Sequence, residues 1–176
     1  MVRVGVEVEW VAAEGESAFG SAIHKQERTL IWIGCPHAMN AVFANTFYWV
    51  ALSDSSDPQY REALAAESEF ANAEIITTDE VLSDFLTFFA GDAWLRARAI
   101  RAAEGLINSP RVTVVPQSRE TFLSGMELYR QRPDKGYSLT DCISMQSMRQ
   151  RGITAALTND RHFEQEGFRA LFRDSA

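Results

Sequence analysis

An α/β fold, with a mostly parallel central sheet and helices on both faces, is the architecture this sequence predicts, and three observations predict it. Short apolar, β-compatible runs alternate with longer stretches whose apolar residues recur at helical spacing. Polar residues stand directly after the short runs, at the edge where open α/β sheets hold their chemistry. The length of 176 residues suits one domain of ordinary size with a layer on each side of a sheet.

The regular pattern starts near Met39. Before it, Val2, Val4, Val6, Val8 and Trp10 alternate with Arg3, Gly5, Glu7 and Glu9, the period of a half-buried strand, and Leu30–Ile33 is a second apolar run. A lone hairpin is marginal in water, so these two short strands, if ordered, pack as an edge or against a neighbouring chain. Met39 is the favoured start of the main domain, residues 39–176, which leaves residues 1–38 as an N-terminal extension of little consequence.

Residues 41–44 are short and apolar and deliver Asn45 and Thr46 at their end. Residues 47–52 read as a buried helical turn. Pro58 stands where a first helical position is expected, and residues 59–72 form a helix with Tyr60, Ala63, Leu64 and Phe70 on its buried face. Residues 74–77 are a strand. Thr78 caps the next helix, with Asp79 and Glu80 favoured in its first turn by the helix dipole. That helix runs to about Phe89 on Val81, Leu82, Phe85, Leu86 and Phe89. Asp84 falls at the margin of this apolar stripe, where a carboxylate is costly unless paired, hydrated or bound to a metal.

Residues 93–108 form a strong helix, and residues 111–115 a strand stopped by Pro116. Ser118 caps a helix that ends before Pro133, with Thr121 in the place of the usual acid of a capping box. Ser138 or Thr140 caps the following helix and sets Asp141 in its first turn. Ile153–Leu157 is a buried strand, and Asp160 lies just beyond it. A helix start explains Asp141 and a turn explains Asp160 about as well as a shared site does.

Hydrophobic residues make up 46% of the chain and charged residues 23%, which fits a globular fold rather than disorder. A net charge of −7 argues against nucleic-acid binding by bulk electrostatics alone, though not against an enzyme whose metal offsets an acidic site. Cys35 and Cys142 match no zinc or redox spacing, and no apolar run is long enough to span a bilayer. A cytoplasmic, soluble protein is expected.

Asn45, Asp84, Asp141 and Asp160, with the segments VFANTFYWVAL (42–52), TTDEVLSDFL (77–86), YSLTDCISM (137–145) and LTNDRHFEQEGF (157–168), resemble the PIN-domain family. The resemblance implies a three-layer α/β/α fold in which acidic residues bind Mg²⁺ or Mn²⁺, one ion or two, and the protein cuts RNA. Hard divalent cations favour oxygen ligands, and a bound ion lowers the pKa of water and stabilises charge building on phosphate. Asp84, Asp141 and Asp160 match metal-site acids of the family, Asp84 where Glu is commoner. Asn45 matches the first acid, normally Asp. Its carbonyl oxygen can ligate, but the lost charge is worth about 4 kcal/mol gross at 4 Å and an effective dielectric of 20.

Thr46 and Thr158 are expected to orient carboxylates or water from beside the acids. Arg161 and His162 are expected on the RNA side. The leading functional expectation is a metal-dependent endoribonuclease similar to the toxin of a VapBC-type toxin–antitoxin pair, weakened or disarmed by Asn45. Such proteins form homodimers and are held inactive by an antitoxin. The alternatives are a non-catalytic RNA- or protein-binding relative and an RNA-processing nuclease without an antitoxin.

Overall fold

The computed structural model describes residues 41–173, so the two strands expected within residues 1–38 lie outside the described part. In chain order the elements are β1 (Ala41–Ala44), α1 (Thr46–Ser53), α2 (Tyr60–Glu69), β2 (Glu74–Thr78), α3 (Asp79–Phe88), α4 (Ala93–Asn108), β3 (Val112–Val115), α5 (Arg119–Gln131), α6 (Leu139–Arg151), β4 (Ala155–Leu157), α7 (Arg161–Gln165) and β5 (Arg169–Ala170). The strands form one sheet in the order β3-β2-β1-β4-β5, and every pairing is parallel. The sheet is flanked by helices in a three-layer α/β/α arrangement.

A parallel sheet covered on both faces needs strands that are apolar throughout rather than alternating. Val42, Phe43, Ala44, Ala155, Ala156 and Leu157 accordingly have no exposed surface. Around these central strands close Tyr48 of α1, Phe85 of α3, Met145 and Met148 of α6, and Phe163 of α7.

Side-chain caps fix where the helices begin. Thr78 accepts from the Val81 N–H, Asp92 from Trp94 and Leu95, and Ser118 from Thr121 in a reciprocal box that uses a hydroxyl for the usual carboxylate. At the far end of α6, Gly152 takes φ 66° and turns the chain into β4, a left-handed cap that glycine adopts without strain. Asp79 Oδ2 also accepts from the Gln117 N–H at 2.8 Å, tying the start of α3 to the loop entering α5.

Several local expectations differ. Pro58 precedes the helix by two residues, and Gln59 is the cap. The buried face of α2 is Ala63, Ala66 and then Phe70, while Leu64 is 41% exposed. Leu86 of α3 is also at the surface. Both leucines lie one position off the stripe that meets the neighbouring elements, and periodicity alone does not fix the stripe's centre.

Candidate functional site

The C-terminal ends of β1, β2 and β4 meet at one edge. Ala44 pairs with Leu157, so Asn45 and Thr158 leave the sheet side by side. The Thr77 hydroxyl donates to the Ala44 carbonyl at 3.0 Å and locks the end of β2 to the end of β1.

Two acids come together here. Asp141 and Asp160, with His162, offer ligand atoms that all lie within 4.8 Å of one another, and each residue is half-buried. Asp141 is the third residue of α6. Its Oδ2 accepts from the Ser138 N–H at 3.0 Å and the Ser138 hydroxyl at 2.7 Å, while Ser138 Oγ caps the Asp141 N–H. All of these bonds use one oxygen, which leaves Oδ1 uncommitted among the described residues. Asp160 divides its carboxylate in the same way. Oδ1 caps α7 by accepting from the His162 N–H at 2.9 Å, and Oδ2 faces His162 Nδ1 at 3.1 Å. The helix-cap and turn readings of these residues are therefore correct, and they occupy only half of each carboxylate.

Asn45 is buried, and its Oδ1 accepts from the Thr46 N–H at 2.7 Å, so it caps α1. Thr158 is fully buried, and its hydroxyl accepts from the Asp160 N–H at 3.1 Å. It orients the backbone that carries the acid, rather than the carboxylate itself. The Thr46 hydroxyl is buried without a partner. Arg161 is exposed beside Asp160.

Asp84 does not join this cluster. It sits in the second turn of α3 with its side chain exposed, where hydration removes the cost expected at the margin of the core. One turn earlier, Glu80 has an oxygen shut away from solvent with no hydrogen-bond partner. The sequence pattern explained Glu80 fully as a first-turn acid and singled out Asp84, and burial ranks them the other way round. Nothing in the sequence distinguishes them, because exposure depends on where α3 lies.

A second polar group supports the site from behind and carries no motif. The Glu166 side chain is 3% exposed and pairs with Arg132 at 2.7 Å and Arg149 at 2.5 Å. Burial opposes its ionisation, but the hydrogen bonds from the two guanidinium groups prevail and hold the carboxyl below the usual range. Arg149 is thus committed to Glu166. Tyr137 Oη lies 3.2 Å from Glu166 Oε1, and burial followed by the Glu166 charge pushes its pKa up to about 12, so it remains a donor. The Tyr137 ring in turn packs against His162, with centroids 5.0 Å apart.

A family model for the PIN domain matches residues 44–168. The chain belongs to the PIN-domain family. Among solved structures, that of VapC20 from Mycobacterium tuberculosis, described as a Sarcin-Ricin loop cleaving toxin, matches this PIN domain with a TM-score of 0.65. The match covers 72% of this chain and 95% of that one at 24% identity, a likeness of fold. Comparison with curated proteins gives no match. Among the described residues, no helix is long and apolar enough to cross a membrane.

Proposed function

We propose that this PIN-domain protein is a divalent-metal-dependent endoribonuclease of the toxin type, with activity attenuated by Asn45. The observation that carries this reading is the convergence of Asp141, Asp160 and His162 at the carboxyl edge of a parallel sheet. The donor set fits a hard divalent ion such as Mg²⁺ or Mn²⁺, since each carboxylate keeps one oxygen outside its capping bonds. Such an ion supplies activation of water near neutral pH and stabilisation of the charge that develops on phosphate. Asp141 and Asp160 would hold it, Thr158 supports the backbone of Asp160, and Arg161, exposed next to Asp160 in sequence, would meet a phosphate of the RNA. Asp84 of α3, outside this cluster, would take part only through a second ion.

The toxin reading also brings an antitoxin and a second copy of the chain as partners, in the cytoplasm. Leu123, Met126 and Tyr129 recur at intervals of three along α5 and are 48%, 46% and 55% exposed, an apolar face suited to a protein partner. The VapC20 description, a Sarcin-Ricin loop cleaving toxin, makes that loop the first substrate to test. A second reading, a non-catalytic RNA- or protein-binding relative, is favoured by one observation: the first acid is replaced by Asn45, whose carbonyl oxygen already caps α1.

The deciding experiment compares the chain with its Asn45→Asp and Asp141→Asn variants on ribosomal RNA hairpins, with Mn²⁺, Mg²⁺ or chelator. Cleavage that rises on Asn45→Asp, needs the metal and vanishes on Asp141→Asn is expected. Metal-independent RNA binding with no cleavage by any form establishes the binding module instead. A small protein that co-purifies with the chain separates a toxin from an RNA-processing nuclease.

A further inference from the structure

His162 Nδ1 is sealed from solvent and has no hydrogen-bond partner, although Asp160 Oδ2 is only 3.1 Å away. The two atoms are close, but they are not aligned for a ring N–H to donate to the oxygen. A buried donor left in this state is unfavourable. The cost disappears if the proton is on Nε2 and the Nδ1 lone pair shares a cation with Asp160. Two neighbouring ligands of a six-coordinate ion with bonds of about 2.1 Å stand about 3 Å apart, which is the spacing seen here.

From this geometry we propose that His162 binds the site's divalent ion directly through Nδ1, beside Asp141 and Asp160, and biases the site toward transition metals over Mg²⁺. The inference rests on the metal-dependent reading above and deepens it. Imidazole nitrogen is a good ligand for first-row transition ions, whereas Mg²⁺ favours oxygen and gives up its waters reluctantly. With Asn45 in the first acid's place, a neutral nitrogen ligand adds affinity that the missing charge does not supply.

The ring is held for this purpose. Tyr137 packs against one side with centroids 5.0 Å apart, and its hydroxyl is anchored to Glu166 and Gln165. Gly136 lies on the Nε2 side, where even a methyl group would stand 3.7 Å away, so that edge of the ring has room for its proton. Packing of this kind holds the ring in one orientation.

The test is electron spin echo spectroscopy of Mn²⁺ bound to the full chain, at natural abundance and with ¹⁵N-labelled histidine. Nitrogen modulation from a coordinated imidazole is expected, changing to the ¹⁵N pattern on labelling, with no variant required. The chain has three histidines, and His162→Gln assigns the source by abolishing the modulation. His162→Gln should also lower the preference for Mn²⁺ over Mg²⁺ in calorimetry by about tenfold or more. Mn²⁺ bound without imidazole modulation, or modulation that persists in a folded His162→Gln protein, overturns the ligand assignment and leaves the nuclease reading in place. Failure of Mn²⁺ to bind at all removes both.

Discussion

Gly125 of α5 and Ile143 of α6 approach so closely that a methyl group on the glycine would stand 2.3 Å from Ile143 Cγ1 and 3.2 Å from its Cα. Because the nearer obstacle is the root of a side chain and the next is backbone, relaxation is limited. Gly125→Ala should destabilise the fold by about 1–3 kcal/mol despite the higher helix propensity of alanine. Urea unfolding checks this, and Ile143→Ala in the same chain should recover part of the loss. Additive losses in the double variant would refute steric contact as the cause.

Ser138 and Asp141 separate fold from chemistry. Ser138→Ala removes the hydroxyl that caps the Asp141 N–H and should cost about 1 kcal/mol, while the carboxylate stays at the site. Asp141→Asn should lose far more activity than stability. Thermal melting and RNA cleavage measured on both variants should therefore rank them in opposite orders, and the same ranking on both scales sinks the assignment of Asp141 to the chemistry.

Glu166 sets an acid limb of stability. Its folded pKa lies below the ordinary 4.5, so the stabilisation is fully present above that value and is lost as pH falls through the folded pKa. Glu166→Gln should lower stability at pH 7 by about 2 kcal/mol, reduced from the value for a fully buried pair because Arg132 and Arg149 are 40% and 38% exposed. The two stability curves should converge as pH falls through the folded pKa. Curves that stay parallel across the acid range count against this role.

Cys142 has no exposed surface, and burial pushes its thiol up to about 11, helped by the charges of Asp141 and Glu166. In a Cys35→Ser background it should resist alkylation at pH 8 and react only as the chain unfolds. Labelling in native buffer as fast as in denaturant contradicts the packing of α6.

The parallel layout, the caps at Thr78, Ser118 and Ser138, and the bounds of α4 were legible in the sequence because each has a local cause: an apolar run, a capping oxygen, a helical period. The short elements α7 and β5 escaped, since five and two residues are too few to show a period. At the site, the positions of Asp141 and Asp160 after a cap and a strand leave a helix start and a turn as equal explanations, and the family resemblance is what sets them together; the structure places them side by side. The exposure of Asp84, the burial of Glu80 and the pairing of Glu166 are hidden in the sequence, because they are decided by how helices settle on the sheet, and Glu166 meets Arg132 across 34 positions. Nothing in the sequence indicates which way the His162 ring will turn, and the structure sets it beside Asp141 and Asp160.

Asn45 begins α1 by the same side-chain oxygen that an aspartate would use, and the two residues are about equally good at that task. Catalytic charge at this position is therefore separable from architecture: the acid can be exchanged for its amide while the helix, the sheet edge and the neighbouring threonines keep their places. At Asp141 and Asp160 the capping carboxylates are also the proposed ion ligands, so an amide there would disturb cap and site together, whereas at residue 45 it keeps the cap.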